Sequence, residues 1–188
     1  MKAMPILRAT ILRSFFLFPI IFTTSCIKNN PIENSLKSET FNTNDKEKME
    51  AYFFIATANL SKVIISKSQI AQQKASKSII KQLSRKIENH QGILLQDVAK
   101  MANKRLVIVT EINNSNKLEL YKLIDASNIS FEKAFMNSLV ESLIEQIETL
   151  ESISKETNDE VILKLVLHYL PELYQFLRET EQIKQQIN

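Results

Sequence analysis

Residues 79–101 read IIKQLSRKIENHQGILLQDVAKM. Apolar side chains stand at Ile79, Ile80, Leu83, Ile87, Leu94, Val98 and Met101, and His90 sits in the same line. Steps of three and four predict a helix with one apolar stripe, sustained like a coiled-coil seam over about six turns. Such a stripe has to be covered by others of its kind, and the chain supplies them. From Asn44, a plausible N-cap, Phe53, Ala56, Leu60, Val63, Lys67 and Ile70 repeat the pattern. A helix capped by Ser130 carries Phe131, Phe135, Leu139, Leu143, Ile147, Leu150 and Ile153. A last one follows a capping-box pattern at Thr157–Glu160 and carries Ile162, Val166, Tyr169, Leu173, Phe176, Thr180, Ile183 and Ile187. Pro171 lies inside it and predicts a bend near Leu167.

Between the second and third long helices, KRLVIVTEINNSN breaks the periodicity. Leu106–Val109 is a β-branched run with no second strand to pair with, so it predicts an extended crossover laid against the bundle. Ser115 caps a short helix through Leu123 and Ile124. Four long amphipathic helices, two tight connections and one long one make an all-α four-helix bundle, predicted over 47–188.

The first 46 residues are of another kind. MKAMPILRATILRSFFLFPIIFTTSC has a basic start, an apolar run from Phe15 to Phe22, and small polar residues before Cys26. This is the pattern of an export signal over 1–25, too short in its apolar part for a spanning helix. Phe22-Thr23-Thr24-Ser25-Cys26 resembles a bacterial lipobox, which implies cleavage between Ser25 and Cys26 and acylation of the Cys26 thiol. Thr23 and Thr24 depart from the residues commonest there, and a secretory signal cut elsewhere is the competing reading. Residues 26–46, rich in Asn, Ser and Thr, predict a disordered tether to the membrane.

Composition excludes several functions. Of 24 basic residues, Lys2, Arg8 and Arg13 fall in the signal, so the remainder balances the 21 acidic ones and the footprint of a nucleic-acid binder is missing. One cysteine allows neither an intramolecular disulfide nor a cysteine-based zinc cluster. One glycine, Gly92, cannot build a phosphate loop, a dinucleotide-binding turn or a nucleophile elbow.

Three blocks resemble a known family. IAQQKASKSIIKQLSRKIENHQGILLQDVAKMA (70–102), ISFEKAFMNSLVES (129–142) and LPELYQFL (170–177) stand in the order found in the ferritin-like bacterial envelope proteins of domain of unknown function 4142. The resemblance spans roughly residues 50–185 and implies a ferritin-like bundle behind an export signal. It also implies three interior histidines, of which only His90 is present. The other two positions fall at Leu143 and Phe176, and the family's acidic positions fall near Ile64 and Ser66. The expectation is therefore a polar centre largely filled with hydrocarbon.

The remaining candidates are few. There is no Glu-x-x-His pair for a di-iron site, and His90 has no acidic neighbour one turn away on its own helix. A core histidine with one hydrogen-bond partner is the plain reading; a ligand or base is the sharper one. His168 with Glu172 is either a boundary-face pair or a buried imidazole–carboxylate dyad, so His90, His168 and Glu172 are the polar-core candidates. Lys67 and Lys74 are expected to snorkel at the edge of the first helix, with a buried catalytic lysine as the alternative. The cations from Lys74 to Lys86 form a solvated face or touch anionic headgroups. No cofactor is expected, and no metal unless at His90. The expected partners are the membrane, through Cys26, and an envelope protein. The expected protein is a lipid-anchored bundle of the cell envelope, at the outer membrane facing the periplasm, binding or structural rather than enzymatic. The alternative is a ferritin-like metal-binding or metal-storing protein.

Overall fold

A computed structural model describes residues 31–109, 112 and 114–187. Five helices follow one another: α1 (Pro31–Lys74), α2 (Ser78–Lys104), α3 (Asn114–Asp125), α4 (Asn128–Glu156) and α5 (Glu160–Ile187). The described residues contain no strand. The compact unit runs from Asn42 to the end of the chain. Signal, cleavage site and lipidation residue, Ser25 and Cys26 included, lie outside the described residues.

Long-range bonds order the helices. The three-residue link 75–77 turns α1 into α2, and Gln69 and Gln72 of α1 both donate to Glu88 of α2. Glu132, on the first turns of α4, accepts from Ser76 N (2.9 Å), Ser76 Oγ (2.7 Å) and Lys77 N (3.0 Å). The start of α4 therefore abuts the α1–α2 turn, and its carboxylate satisfies the turn's amides at Ser76 and Lys77. At the other end, Thr157 in the α4–α5 turn donates to Glu50 (2.8 Å), and Arg105 after α2 pairs with Asp159. α1 and α5 thus run one way and α2 and α4 the other, with the crossover and α3 climbing back along the side. This is the bundle with one long connection that the pattern predicted.

The seams close as expected, with instructive additions. All the predicted residues of α4 are buried, as are those of α5 up to Ile183. On α2 the buried face is wider than the stripe: Ser84, Gln91 and Ala102 are inside, and Ile79 is outside. Small and polar side chains escape a search for hydrophobic period, yet these three are buried. Val107 and Val109 of the crossover pack on the core, as an extended segment laid against it should.

Several local expectations are corrected. The tether predicted over 26–46 is already helical from Pro31, and the compact unit starts at Asn42 rather than residue 47. Proline suits a first helical turn, and Asn, Ser and Thr cost only tenths of a kcal/mol each rather than forbidding helix. Asn44 is therefore inside α1, not its cap. Helix α4 is flanked by Ser127 at its N-cap; Ser130 Oγ instead donates to the Ser127 carbonyl (2.6 Å). The cap of α5 is Asp159, whose Oδ1 accepts from Val161 N (2.8 Å) and Ile162 N (3.1 Å). Burial would raise the Asp159 carboxyl, but these amides and Arg105 hold it below its ordinary value. Helix α5 continues through Pro171, and Leu167, whose carbonyl the proline leaves without its usual donor, is exposed to water.

Candidate functional site

His90 is where the sequence places it, in the packed face of α2 and 7% exposed. Two rings of α5 meet it edge-on: Phe176 at 5.1 Å and Tyr169 at 5.4 Å between centroids. Neither ring nitrogen has a hydrogen-bond partner. The core placement holds; the expected hydrogen bond does not. Glu172 of α5 brings Oε2 to 3.5 Å from Nε2, within ion-pair range but not bonded. Burial lowers the imidazole below its ordinary 6.5; Glu172 opposes this and His168 adds to it. His90 is therefore a neutral ring at pH 7.

Beyond it, Tyr169 Oη donates to Asp97 Oδ2 at 2.6 Å. Burial, then this bond, push the phenol far above its ordinary range. His168 lies edge-on against Tyr169 at 4.7 Å and is exposed. Asp97, His168 and Tyr169, with Lys100, Lys104 and Lys164, border an open groove of about 340 Å³ on the α2–α5 face. The His168–Glu172 dyad is not built. Glu172, more than half exposed, faces His90 instead, and neither His168 nor Glu172 belongs to the core. Positions four apart share a helix face but need not share a partner.

Two polar clusters were missed. Gln91 and Gln146 exchange amide bonds at 2.6 and 3.0 Å, and Gln146 Nε2 also donates to Ser61 Oγ at 3.1 Å. All three are buried, so the centre is not hydrocarbon alone. Lys67 is the larger correction. It does not snorkel: its side chain is 1% exposed, and Nζ donates to Ser142 Oγ (2.8 Å), Glu119 Oε2 (3.1 Å) and the Ser138 carbonyl (3.3 Å). The lysine was read against α1 alone, whereas α3 and α4 supply its acceptors. Lys74 is the edge residue expected, but its ammonium caps α3, donating to Ile124 O and, at 2.7 Å, Ala126 O. Of the expected basic face, Lys86 pairs with Glu179 at 3.1 Å.

What the arrangement can do chemically is limited. Lys67 Nζ is enclosed with its three acceptors, and Ser142 beside it is buried. A zinc or iron site takes three or more protein donors. His90 and Glu172 are two, and Leu143 and Phe176 on the neighbouring seams are buried apolar residues that add no donor. Among the described residues no group of three or more His, Cys, Asp or Glu side chains could hold a metal ion. The residues do not fit a resident metal.

No curated protein and no solved structure matches this chain. The profile of one family, described as a domain of unknown function (DUF4142), matches residues 37–183, which takes in every element from α2 to α4 and nearly all of α5. The chain belongs to that family, and His90, Leu143 and Phe176 all fall inside the match.

Proposed function

We propose that this protein is a lipid-anchored helical bundle of the bacterial cell envelope, held at the outer membrane and facing the periplasm, that binds or braces an envelope partner and catalyses nothing. One observation carries the non-catalytic half. The polar groups of the interior, Gln91 with Gln146 and Lys67 with Ser142, bond to one another instead of converging on an open cleft. The anchor rests on the sequence around Cys26, and two or three acyl chains suffice to hold a protein on a bilayer. No helix among the described residues is long and apolar enough to cross a membrane.

The test is the intact mass and membrane fractionation of the full chain beside Cys26→Ser. The expected result is a mature chain beginning at an acylated Cys26 in the membrane fraction, with the variant released. An unacylated wild-type chain in the soluble fraction overturns the anchor. A second reading, metal binding or storage, is favoured by the two unpartnered nitrogens of His90 with Glu172 beside them. It needs donors that the described residues do not bring to this place.

A further inference from the structure

Helix α2 ends in a pair of bonds, Val107 N to the Ala102 carbonyl (2.9 Å) and Leu106 N to the Asn103 carbonyl (3.1 Å). This pairing puts one residue in the left-handed region, where glycine is the usual choice because a Cβ there crowds the carbonyl. Leu106 occupies it with φ 57°, the positive φ among the described residues. Its side chain is 92% exposed. A leucine in a strained backbone position, touching nothing, gains neither local conformational energy nor burial from the fold. Two residues on, Ile108 is 81% exposed, while Val107 and Val109 pack inward and hold the segment in place.

The location supplies the occupant. Arg105 and Val107 border the same surface hollow as Glu47 and Ala51, near the beginning of α1 in the compact unit. Arg105 also pairs with Asp159, and the neighbouring Val161 is exposed too. This is the end at which the chain enters the compact unit at Asn42. Fifteen residues lie between Cys26 and Asn42, and those from Pro31 on are helical. Five extended steps and eleven helical ones reach about 34 Å, less than the roughly 42 Å length of a 28-residue helix, so an anchored Cys26 keeps this end nearer the bilayer than the far one.

We propose that Leu106 and Ile108 form an apolar knob that inserts at the headgroup–acyl boundary of the membrane on which the protein is anchored. The proposal rests on the anchored reading above. Lys104 and Arg105 flank the knob, and with Lys46 and Lys48 they are matched at the same end by Asp45, Glu47, Glu50 and Asp159. Apolar burial rather than charge therefore drives the contact, and salt changes it little. The geometry orients the bundle end-on, with the α1–α2 turn and the start of α4 farthest from the bilayer.

The experiment uses the acylated full chain, in which Cys26 is blocked and a Leu106→Cys variant takes an environment-sensitive fluorophore at one place. A Gln182→Cys variant, exposed near the far end of α5, is the control. Both are reconstituted on vesicles of phosphatidylethanolamine and phosphatidylglycerol containing brominated lipid, and intact mass scores acylation separately. The expected result is a blue-shifted, quenched probe at 106 and an unquenched one at 182. In the Cys26→Ser background, Leu106→Ser/Ile108→Ser should weaken vesicle partition by about tenfold per residue, with little salt dependence. A probe at 106 that stays in water on a vesicle-bound protein overturns the knob and leaves the anchor standing. An unacylated chain overturns the anchor, and its 106 probe on added vesicles still decides the knob. A blue shift that grows with protein concentration and needs no vesicles overturns the membrane assignment in favour of a second copy.

Discussion

Lys67 offers a sharp energetic test, because its whole side chain is enclosed and its charge is satisfied by two other helices. Lys67→Ala removes three hydrogen bonds from a charged donor, opens a cavity the length of three methylenes and an ammonium, and leaves Ser142 and the Ser138 carbonyl without that partner. Stranding these acceptors costs about 1–3 kcal/mol, and the cavity adds to it where α1, α3 and α4 cannot close. Lys67→Met keeps most of the volume and removes the cost of burying the ammonium, while half-exposed Glu119 can return to water. Its cost should be about 1–2 kcal/mol, well below that of the alanine. The assay is urea denaturation of the full chain in a Cys26→Ser background, with the midpoint read at constant slope, and hydrogen exchange along α3. Helix α3 should exchange faster in both variants, because Lys67 and Lys74 both tie it to α1. A Lys67→Ala chain within about 0.5 kcal/mol of wild type, or methionine worse than alanine, would refute the burial.

Three further outcomes follow from the same geometry. His90 has a folded pKa below 6.5, so the unfolded chain takes up its proton first and stability must fall as pH drops below 6.5. The slope approaches about 1.4 kcal/mol per pH unit at most, and His90→Leu should flatten it between pH 6.5 and 5 in urea titrations. Gln146→Leu strands the buried Gln91 amide and should cost about 2–3 kcal/mol, whereas Gln91→Leu/Gln146→Leu should recover much of that; additive losses would contradict the pairing. Leu106→Gly relieves the left-handed strain and should raise stability by about 1 kcal/mol, so a lower midpoint would mean that Leu106 packs on the fold after all.

Periodicity made the four seams legible, since Ile80, Ile87 and Leu94 on α2 and Leu139, Leu143 and Leu150 on α4 are apolar at regular steps and are all buried. It also made the crossover legible, because a β-branched run without a second one has nothing to pair with among these elements. The polar interior was not legible. Lys67, Gln91 and Gln146 are placed by partners more than fifty residues away, and local spacing cannot reveal who satisfies a polar atom. The turn before α2 is hidden for the same reason. Its amides at Ser76 and Lys77 are met by Glu132 from α4, and burial that would raise this carboxyl is outweighed by the bonds from Ser76 and Lys77. At the histidine, sequence spacing separated His90 from any acid on its own helix. Glu172 reaches it across the α2–α5 interface, a pairing visible only once the helices are packed.

The interior around His90 packs Phe176 and Tyr169 against the ring, with no group of three metal donors among the described residues. Metal content per chain, measured on the full Cys26→Ser protein after loading with iron or zinc and desalting, beside the same protein carrying His90→Leu, tests whether it holds an ion. No stoichiometric metal is expected in either. One metal per chain, lost in His90→Leu, would contradict it and make the histidine of residues 79–101 a ligand.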